Sequence, residues 1–103
     1  MEGKAAVPQI SLADFKNSLP KDRTVLVDIG AEWCPPCKKM LPVVEALERE
    51  GYAVIRIDGG SQTELVKALH AEAFPTFISF KDGKEVSRAT GVVSKEVLQK
   101  MVD

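Results

Sequence analysis

The segment Thr24–Gly30 constrains the fold more than any other part of the sequence, because it is short, rich in β-branched residues and almost wholly apolar. A run of this kind is typical of a central strand that is covered on both faces of a sheet. Ala53–Ile57 is a second such run, and Pro35–Glu50 between them has apolar residues at helical spacing. Parallel strands joined by a helix need a right-handed crossover. The sequence therefore predicts an α/β fold.

Turn signals extend this prediction to the second half of the chain. Asp82-Gly83 separates two strand-like runs, Thr76–Phe80 and Glu85–Thr90. Asp-Gly between such runs is a strong hairpin signal, so we expect these strands to pair antiparallel. With helices before, between and after the strands, the order becomes αβαβαββα. We predict a central mixed four-stranded sheet with helices on both faces, in one domain that spans residues 1–103.

Helix starts are indicated by serines that precede apolar stripes. Ser11 and Ser94 stand before the first and last helices, and Ser61 with Glu64 has the spacing of a capping box for the third. The final helix is expected to bury four residues: Val97, Leu98, Met101 and Val102.

Charge and hydropathy exclude several classes of partner. Fourteen basic and fifteen acidic residues leave a net charge of -1, which gives no electrostatic footprint for nucleic acid or an anionic membrane. No apolar run has the length of a membrane span, and Met1–Gln9 has no apolar stretch typical of a signal peptide. We expect a cytoplasmic monomer; a leader removed from the chain would instead make it an exported protein.

The chemistry of the sequence centres on its two cysteines, Cys34 and Cys37, which follow a strand and begin a helix. Residues three apart on a helix lie about 5–6 Å from each other, within the range that a disulfide can bridge. The helix N-terminus favours the Cys34 thiolate, so Cys34 is the expected nucleophile and Cys37 the resolving thiol. Pro35 and Pro36 have no N–H, so stabilisation of the thiolate depends on the Cys37 N–H and the helix dipole.

A structural zinc site is the alternative for a cysteine pair at this spacing. Such a site needs four ligands, and the remaining sequence offers no further cysteine and one histidine, His70, which falls in a predicted helix. A metal or iron–sulfur site would therefore need ligands shared between two chains. The spacing and context favour a redox pair, with the reversible Cys34–Cys37 disulfide in place of a cofactor.

Asp28 and Trp33 are the other informative residues near the pair. Asp28 interrupts the first apolar strand, and burial without a partner should raise the pKa of its carboxyl group. Such a carboxyl could accept the proton of Cys37 during resolution; the alternative is an aspartate hydrogen-bonded to backbone. Trp33 stands on the loop before Cys34, where it can shield the thiolate and contact a substrate. From base rates alone, the Phe74-Pro75 bond would be trans.

Several motifs together resemble the thioredoxin family, in the right order and over nearly the whole chain. They are Val25-Leu26-Val27-Asp28, Ala31-Glu32-Trp33-Cys34, Pro36-Cys37-Lys38, Phe74-Pro75-Thr76, Phe80-Lys81-Asp82-Gly83 and Gly91. The resemblance implies the thioredoxin fold and the reversible reduction of protein disulfides. It also implies an upstream reductase such as a thioredoxin reductase.

The resemblance assigns roles to individual residues. Cys34 becomes the nucleophile, Cys37 the resolving cysteine and Asp28 the buried proton acceptor. Pro75 becomes a cis proline that faces the cysteines, and the backbone of Phe74 pairs with the substrate as an added strand. The remaining substrate contacts are expected from Trp33, Pro35, Pro36 and Gly91.

Three residues depart from the family's pattern. Pro35 stands where thioredoxins usually have glycine, and Cys-Pro-Pro-Cys occurs in tryparedoxin-like and nucleoredoxin-like relatives. Gly30 replaces a common large aromatic residue, which should loosen packing behind the cysteines. Val54 stands at the position of the lysine that neighbours the buried aspartate, so we expect Asp28 to lack a nearby cation and to ionise less readily.

Three functions remain compatible with the sequence. A dithiol reductant of protein disulfides is the leading hypothesis. An exported oxidase or electron relay of the same fold is the second. The third is a non-catalytic module that binds peptides in the groove at Pro75, which the intact cysteine pair and Asp28 disfavour.

Overall fold

The computed structural model describes residues 7–103, so the first six residues of the segment Met1–Gln9 lie outside the described residues. The elements are α1 (Leu12–Ser18), β1 (Val25–Gly30), α2 (Pro35–Arg49), β2 (Ala53–Asp58), α3 (Thr63–Ala68), β3 (Thr76–Lys81), β4 (Lys84–Thr90) and α4 (Lys95–Val102). This is the predicted order of helices and strands. Within residues 7–103, no helix is long and apolar enough to cross a bilayer.

The strands form one mixed sheet in the order β2-β1-β3-β4. β1 pairs with β2 in parallel and with β3 in antiparallel orientation, and β3 pairs with β4 in antiparallel orientation. The β3–β4 turn places Asp82 at φ 53° and Gly83 at φ 77°. Two successive positive φ angles are what a tight hairpin turn between twisted strands requires, so the Asp-Gly signal predicted this hairpin correctly.

Helices cover both faces of the sheet, as predicted. Alternate residues of β1 point to opposite faces, and the apolar side chains of both sets are fully buried, whereas Asp28 and Gly30 are partly buried. Val25, Val27 and Ile29 pack with α1 and α3, whereas Leu26 packs with α2 and α4. Asp28 has the same parity as Leu26, so it lies on the α2 side of the sheet. The fold therefore places this carboxyl group on the face that carries the cysteine helix.

The predicted capping box at Ser61 is wrong, although the caps at Ser11 and Ser94 are confirmed by hydrogen bonds to Asp14 N and Val97 N. The Ser61 hydroxyl donates to Asp58 O at 3.3 Å and is occupied in the turn after β2. The N-cap residue of α3 is Gln62, one position later, and its side chain makes no cap hydrogen bond. The N–H of Glu64 donates instead to Gln9 Oε1 at 2.9 Å.

The prediction that Val97 is buried is also wrong, because its exposed fraction is 41 %. In α4 the buried residues are Leu98 and Val102, four positions apart, and Met101 is partly buried. Residues at this spacing form one narrow stripe along a helix. Val97 precedes Leu98 by one residue, about 100° around the helix, and therefore points away from the sheet.

Candidate active site

The Cys34–Cys37 disulfide lies where β1 leads into α2, and the two Cα atoms are 5.3 Å apart. Cys34 is the N-cap residue of α2, with Pro35 and Pro36 in the first turn. Proline suits these positions because the first N–H groups of a helix have no partner within the helix. The sequence-based prediction that the two cysteines can bridge at this helix start is confirmed.

Backbone groups surround the Cys34 sulfur. The Cys37 N–H donates to Cys34 Sγ at 3.2 Å, and Phe74 O lies 3.6 Å from the same sulfur. In the reduced protein a Cys34 thiol can donate its S–H to this carbonyl, whereas a thiolate accepts from the Cys37 N–H. The helix N-terminus adds a positive field at this point. The arrangement therefore suits a sulfur that carries negative charge when the disulfide opens.

A groove of about 400 Å³ lies beside Cys34. Its lining residues are Trp33, Cys34, Pro35, Pro36, Ala71, Glu72, Ala73 and Phe74. Trp33 is 70 % exposed, and its ring lies 5.7 Å from that of Phe74, measured between centroids. An aromatic side chain this exposed beside a reactive sulfur offers a flat apolar contact surface to a second chain.

Pro75 and Gly91 lie next to this groove but do not line it. The Phe74-Pro75 bond is cis, as the family resemblance implied and base rates did not. Gly91 donates its N–H to Pro75 O at 2.9 Å and has φ 81°, a conformation that favours glycine. Apart from Gly91 itself and its two chain neighbours, no atom of residues 7–103 lies within 4 Å of the position that a Gly91 Cβ would take. Gly91 therefore holds the proline loop and leaves open space beside it.

The carboxyl group of Asp28 lies on the Cys37 side of the disulfide, and Asp28 is not among the residues that line the groove. Burial raises its pKa from 3.8 to about 6, because desolvation disfavours the charged form. The charge of Arg56 lowers the pKa and that of Glu48 raises it, both less than burial does. The expected elevation is present, and the group would exchange a proton near neutral pH.

The expectation that Asp28 lacks a nearby cation is wrong, because Arg56 lies opposite it in the register of β1 and β2, and the charge of Arg56 lowers the Asp28 pKa. Val54 lies two residues earlier on the same face of β2, as expected for a strand. The Arg56 guanidinium also donates to Glu48 Oε1 at 2.6 Å. Aligning the starts of the two predicted strands, Thr24 and Ala53, would have placed Arg56 opposite Val27. The sequence therefore indicated a cation within one residue of the position opposite Asp28, but not the observed register.

A second opening of about 650 Å³, here called the rear cavity, lies on the Asp28 side of the disulfide. Its lining residues are Asp28, Gly30, Ala31, Glu32, Cys37, Lys38, Leu41, Arg56, Ile57 and Asp58. A Cβ on Gly30 would lie 3.1 Å from Cys37 Sγ and 3.9 Å from Asp28 Oδ1. The missing side chain therefore leaves space that the thiol and carboxyl groups share, in keeping with the predicted loosening behind the cysteines.

His70 does not belong to a metal site in the part of the chain that the structure describes. Among residues 7–103, no group of three or more His, Cys, Asp or Glu side chains could hold a metal ion. His70 was expected within a helix, but α3 ends at Ala68 and His70 follows it with φ 57°.

Comparisons with known proteins agree with this geometry. A family model described as Thioredoxin matches residues 6–103. A thioredoxin from Chlamydia trachomatis is 38 % identical over 98 residues, covering 93 % of this chain and 95 % of its own. The crystal structure of Fasciola hepatica thioredoxin is 35 % identical, with a TM-score of 0.73, covering 79 % of this chain and 80 % of its own.

A point-mutant thioredoxin from Halobacterium salinarum is similar over a larger share of the chain. Its TM-score is 0.80 at 28 % identity, and the match covers 97 % of this chain and 93 % of the other. The four-stranded sheet, the four helices and the bridged Cys-X-X-Cys pair thus agree with both sequence and structural relatives. The chain belongs to the thioredoxin family, and its bridged cysteine pair makes it a thiol–disulfide oxidoreductase.

Proposed function

We propose that the protein reduces protein disulfides by dithiol exchange, with Cys34 as the nucleophile and Cys37 as the resolving thiol. The observation that carries this assignment is the hydrogen bond from Cys37 N–H to Cys34 Sγ at 3.2 Å, at the N-terminus of α2. Both the N–H and the helix dipole stabilise negative charge on Cys34. Cys37 lies one turn into the helix and receives no such bond in the contacts described.

The exchange takes two steps. The Cys34 thiolate attacks one sulfur of the substrate disulfide, forming a mixed disulfide and expelling the other substrate sulfur as a thiolate. Cys37 then loses its proton and attacks Cys34 Sγ. The Cys34–Cys37 disulfide re-forms and the second substrate thiolate leaves, so two electrons pass to the substrate. The cysteine pair carries these electrons, and the proposed chemistry uses no further cofactor.

We assign the proton of Cys37 to Asp28 during the second step. Support comes from the pKa of about 6 and from the shared space beside Gly30, which Cys37 Sγ and Asp28 Oδ1 both adjoin. A carboxylate with this pKa is ionised at neutral pH, yet basic enough to accept a proton in the transition state. The transfer can run directly or through one water molecule in that space.

The substrate chain is proposed to lie in the groove beside Cys34. Trp33, Pro35 and Pro36 offer apolar contacts, and the backbone of Phe74 pairs with the extended substrate segment next to cis-Pro75. The open space at Gly91 admits the substrate side chains.

Cys34→Ser and Cys37→Ser separate the two cysteine roles. We expect Cys34→Ser to abolish insulin reduction with dithiothreitol as the electron source. Cys37→Ser should accumulate a mixed disulfide with insulin, because the resolving thiol is missing. Full activity of Cys34→Ser, or a mixed disulfide that forms on Cys37 in that variant, would contradict the assignment.

The protein also has an oligomeric state, a source of electrons and a location in the cell. We propose a monomer that an upstream reductase, such as a thioredoxin reductase, returns to the dithiol form. The location in the cytoplasm stays a prediction from the sequence. An equilibrium redox potential near that of strong oxidants would instead favour the oxidase or relay function.

A further inference from the structure

The two sulfurs of the disulfide face different openings. Cys34 lines the groove, and Cys37 lines the rear cavity. Cys34 is only 4 % exposed, whereas Cys37 is partly exposed. By whole-residue exposure, the cysteine proposed to attack substrates is therefore the more covered one, and the resolving cysteine is the more accessible.

Gly30 is the residue that leaves Cys37 accessible. The ideal Cβ position on Gly30 lies 3.1 Å from Cys37 Sγ and 3.5 Å from Cys37 Cβ, and no atom of Cys34 is among its three nearest. The first carbon of a side chain there would therefore press on Cys37, and not on Cys34. The backbone does not demand glycine at this position, because Gly30 is not among the glycines with positive φ.

The electrostatics of the pair make Cys37 the better target of an incoming thiolate. When a thiolate attacks one sulfur of a disulfide, the other sulfur leaves as a thiolate, and the more stabilised thiolate leaves faster. Cys34 Sγ accepts the Cys37 N–H at the N-terminus of α2 and is the better stabilised leaving group. Attack at Cys37 thus expels the sulfur that the helix favours.

We propose that the rear cavity is a second substrate site, at which a low-molecular-weight thiol attacks Cys37 Sγ and reduces the oxidised protein. The thiolate RS⁻ forms an RS–S bond to Cys37 while the Cys34–Cys37 bond breaks, and Cys34 leaves as a thiolate. A second RS⁻ attacks the RS sulfur of that adduct. RSSR and the Cys37 thiolate are released, so two small thiols supply the two electrons. This proposal rests on the redox activity of the cysteine pair.

The groups around the rear cavity indicate the class of thiol. Lys38 and Arg56 supply positive charge, and Asp28, Glu32 and Asp58 supply negative charge, over apolar contacts from Leu41 and Ile57. Glu48 already pairs with Arg56, so Lys38 is left beside three acidic side chains and negative charge is in excess. A small thiol that carries an ammonium group meets these acidic side chains, and the carboxylate of an amino-acid thiol can also meet Lys38. Free cysteine is the probe we select.

The position of the first adduct is the direct test. Oxidised protein is mixed with excess cysteine for short times and quenched with N-ethylmaleimide, and fragment mass spectrometry locates the two modifications. We expect the cysteine adduct on Cys37 and the maleimide on Cys34, in about tenfold excess over the reverse pattern. An adduct found mainly on Cys34 overturns the proposal.

Gly30→Phe tests the route of access. Two rates are measured: the reduction of the oxidised variant by cysteine, and the formation of a mixed disulfide between the prereduced variant and insulin. Their ratio should fall about tenfold in Gly30→Phe, because only the reaction with cysteine enters through the rear cavity. Gly30→Ala should lie between, and Val86→Phe, which adds a ring at an exposed β4 position, is the matched control. An unchanged ratio in Gly30→Phe overturns the proposal.

The same experiments distinguish this proposal from the proposed function. Mixed-disulfide formation by prereduced wild-type protein with insulin depends on Cys34 alone. If that reaction is absent, the proposed function fails. If it is present and cysteine modifies Cys34, only the second substrate site fails.

Discussion

The groove and the rear cavity adjoin one disulfide but are built from different groups. Around Cys34 the polar contacts come from backbone, the Cys37 N–H and Phe74 O, beside the exposed ring of Trp33. The rear cavity instead contains the ionisable side chains of Asp28 and Arg56. Backbone and aromatic groups suit recognition of another chain, whereas a carboxyl with a pKa of about 6 suits proton exchange. The fold thus places the proposed contact with a protein substrate and the proposed proton transfer on different sides of the disulfide.

Asp28→Asn should give the largest effect on the rear side. It removes the proposed proton acceptor, so the rate of mixed-disulfide resolution should fall about a hundredfold, the usual scale of general base catalysis. The wild-type rate should rise with pH through about 6, as Asp28 ionises, and the variant should lack that step. Stopped-flow measurement of insulin release from a preformed mixed disulfide checks both expectations.

The contrast between the two sides supplies the control for this experiment. Formation of the mixed disulfide takes place at Cys34, so Asp28→Asn should change that first step much less than the second. Equal slowing of both steps would show that the carboxyl group supports the whole site and is not specific to resolution. A wild-type resolution rate without a step near pH 6 would contradict the assigned role.

Asp28→Asn should also stabilise the folded protein at neutral pH. The pKa of Asp28 is raised from 3.8 to about 6 in the folded state. The folded protein therefore binds the proton more tightly than the unfolded chain, and stability declines as pH rises from about 4 through about 6. Above that range the charged, partly buried carboxylate costs about 2 kcal/mol, after allowance for its partial exposure.

Urea unfolding of the oxidised proteins measures this cost. We compare the free energy of unfolding of Asp28→Asn with that of the wild type at each pH. The variant minus the wild type should be about 2 kcal/mol larger at about pH 8 than at about pH 4. If the difference between the variants is the same at both pH values, the carboxyl group is not buried as described.

Trp33→Ala should affect the groove side alone. The exposed ring is proposed to contact substrate chains, and loss of one aromatic anchor commonly costs a factor of about ten in affinity. We expect kcat/KM for insulin to fall about tenfold, and the rate of reduction by free cysteine to change much less. Trp33→Phe should recover part of the loss. A parallel fall with both reagents would show that Trp33 acts on the disulfide itself.

The sequence predicted the fold well because its signals are local and agree with one another. The apolar run of β1, the Asp82-Gly83 turn and the Ser11 and Ser94 caps each depend on a few neighbouring residues. The cap of α3 failed for the opposite reason. Its acceptor, Gln9 Oε1, comes from 55 positions away and cannot be found from local spacing.

The candidate site shows the same division between local and distant information. The helix position of Cys34 followed from the adjacent strand and helix signals, and the raised pKa of Asp28 followed from its apolar neighbours. Arg56 was missed because its place opposite Asp28 depends on the register between β1 and β2, which the two strand sequences do not fix. The rear cavity was anticipated only as loosened packing at Gly30. Its extent depends on residues from three separate segments, which sequence spacing does not bring together.

Arg56→Met should give the smallest effect and tests whether the missed cation tunes the rear side. The positive charge of Arg56 lowers the pKa of Asp28, and the substitution also leaves the Glu48 carboxylate without its partner. Both changes disfavour the Asp28 carboxylate, so the pH midpoint of resolution should move above about 6. Because the Arg56 side chain is 40 % exposed, we expect only about a threefold loss of rate at neutral pH. Arg56→Lys should keep the wild-type midpoint, since it keeps the charge, and a midpoint that stays fixed or falls in Arg56→Met would show that Arg56 does not act on Asp28.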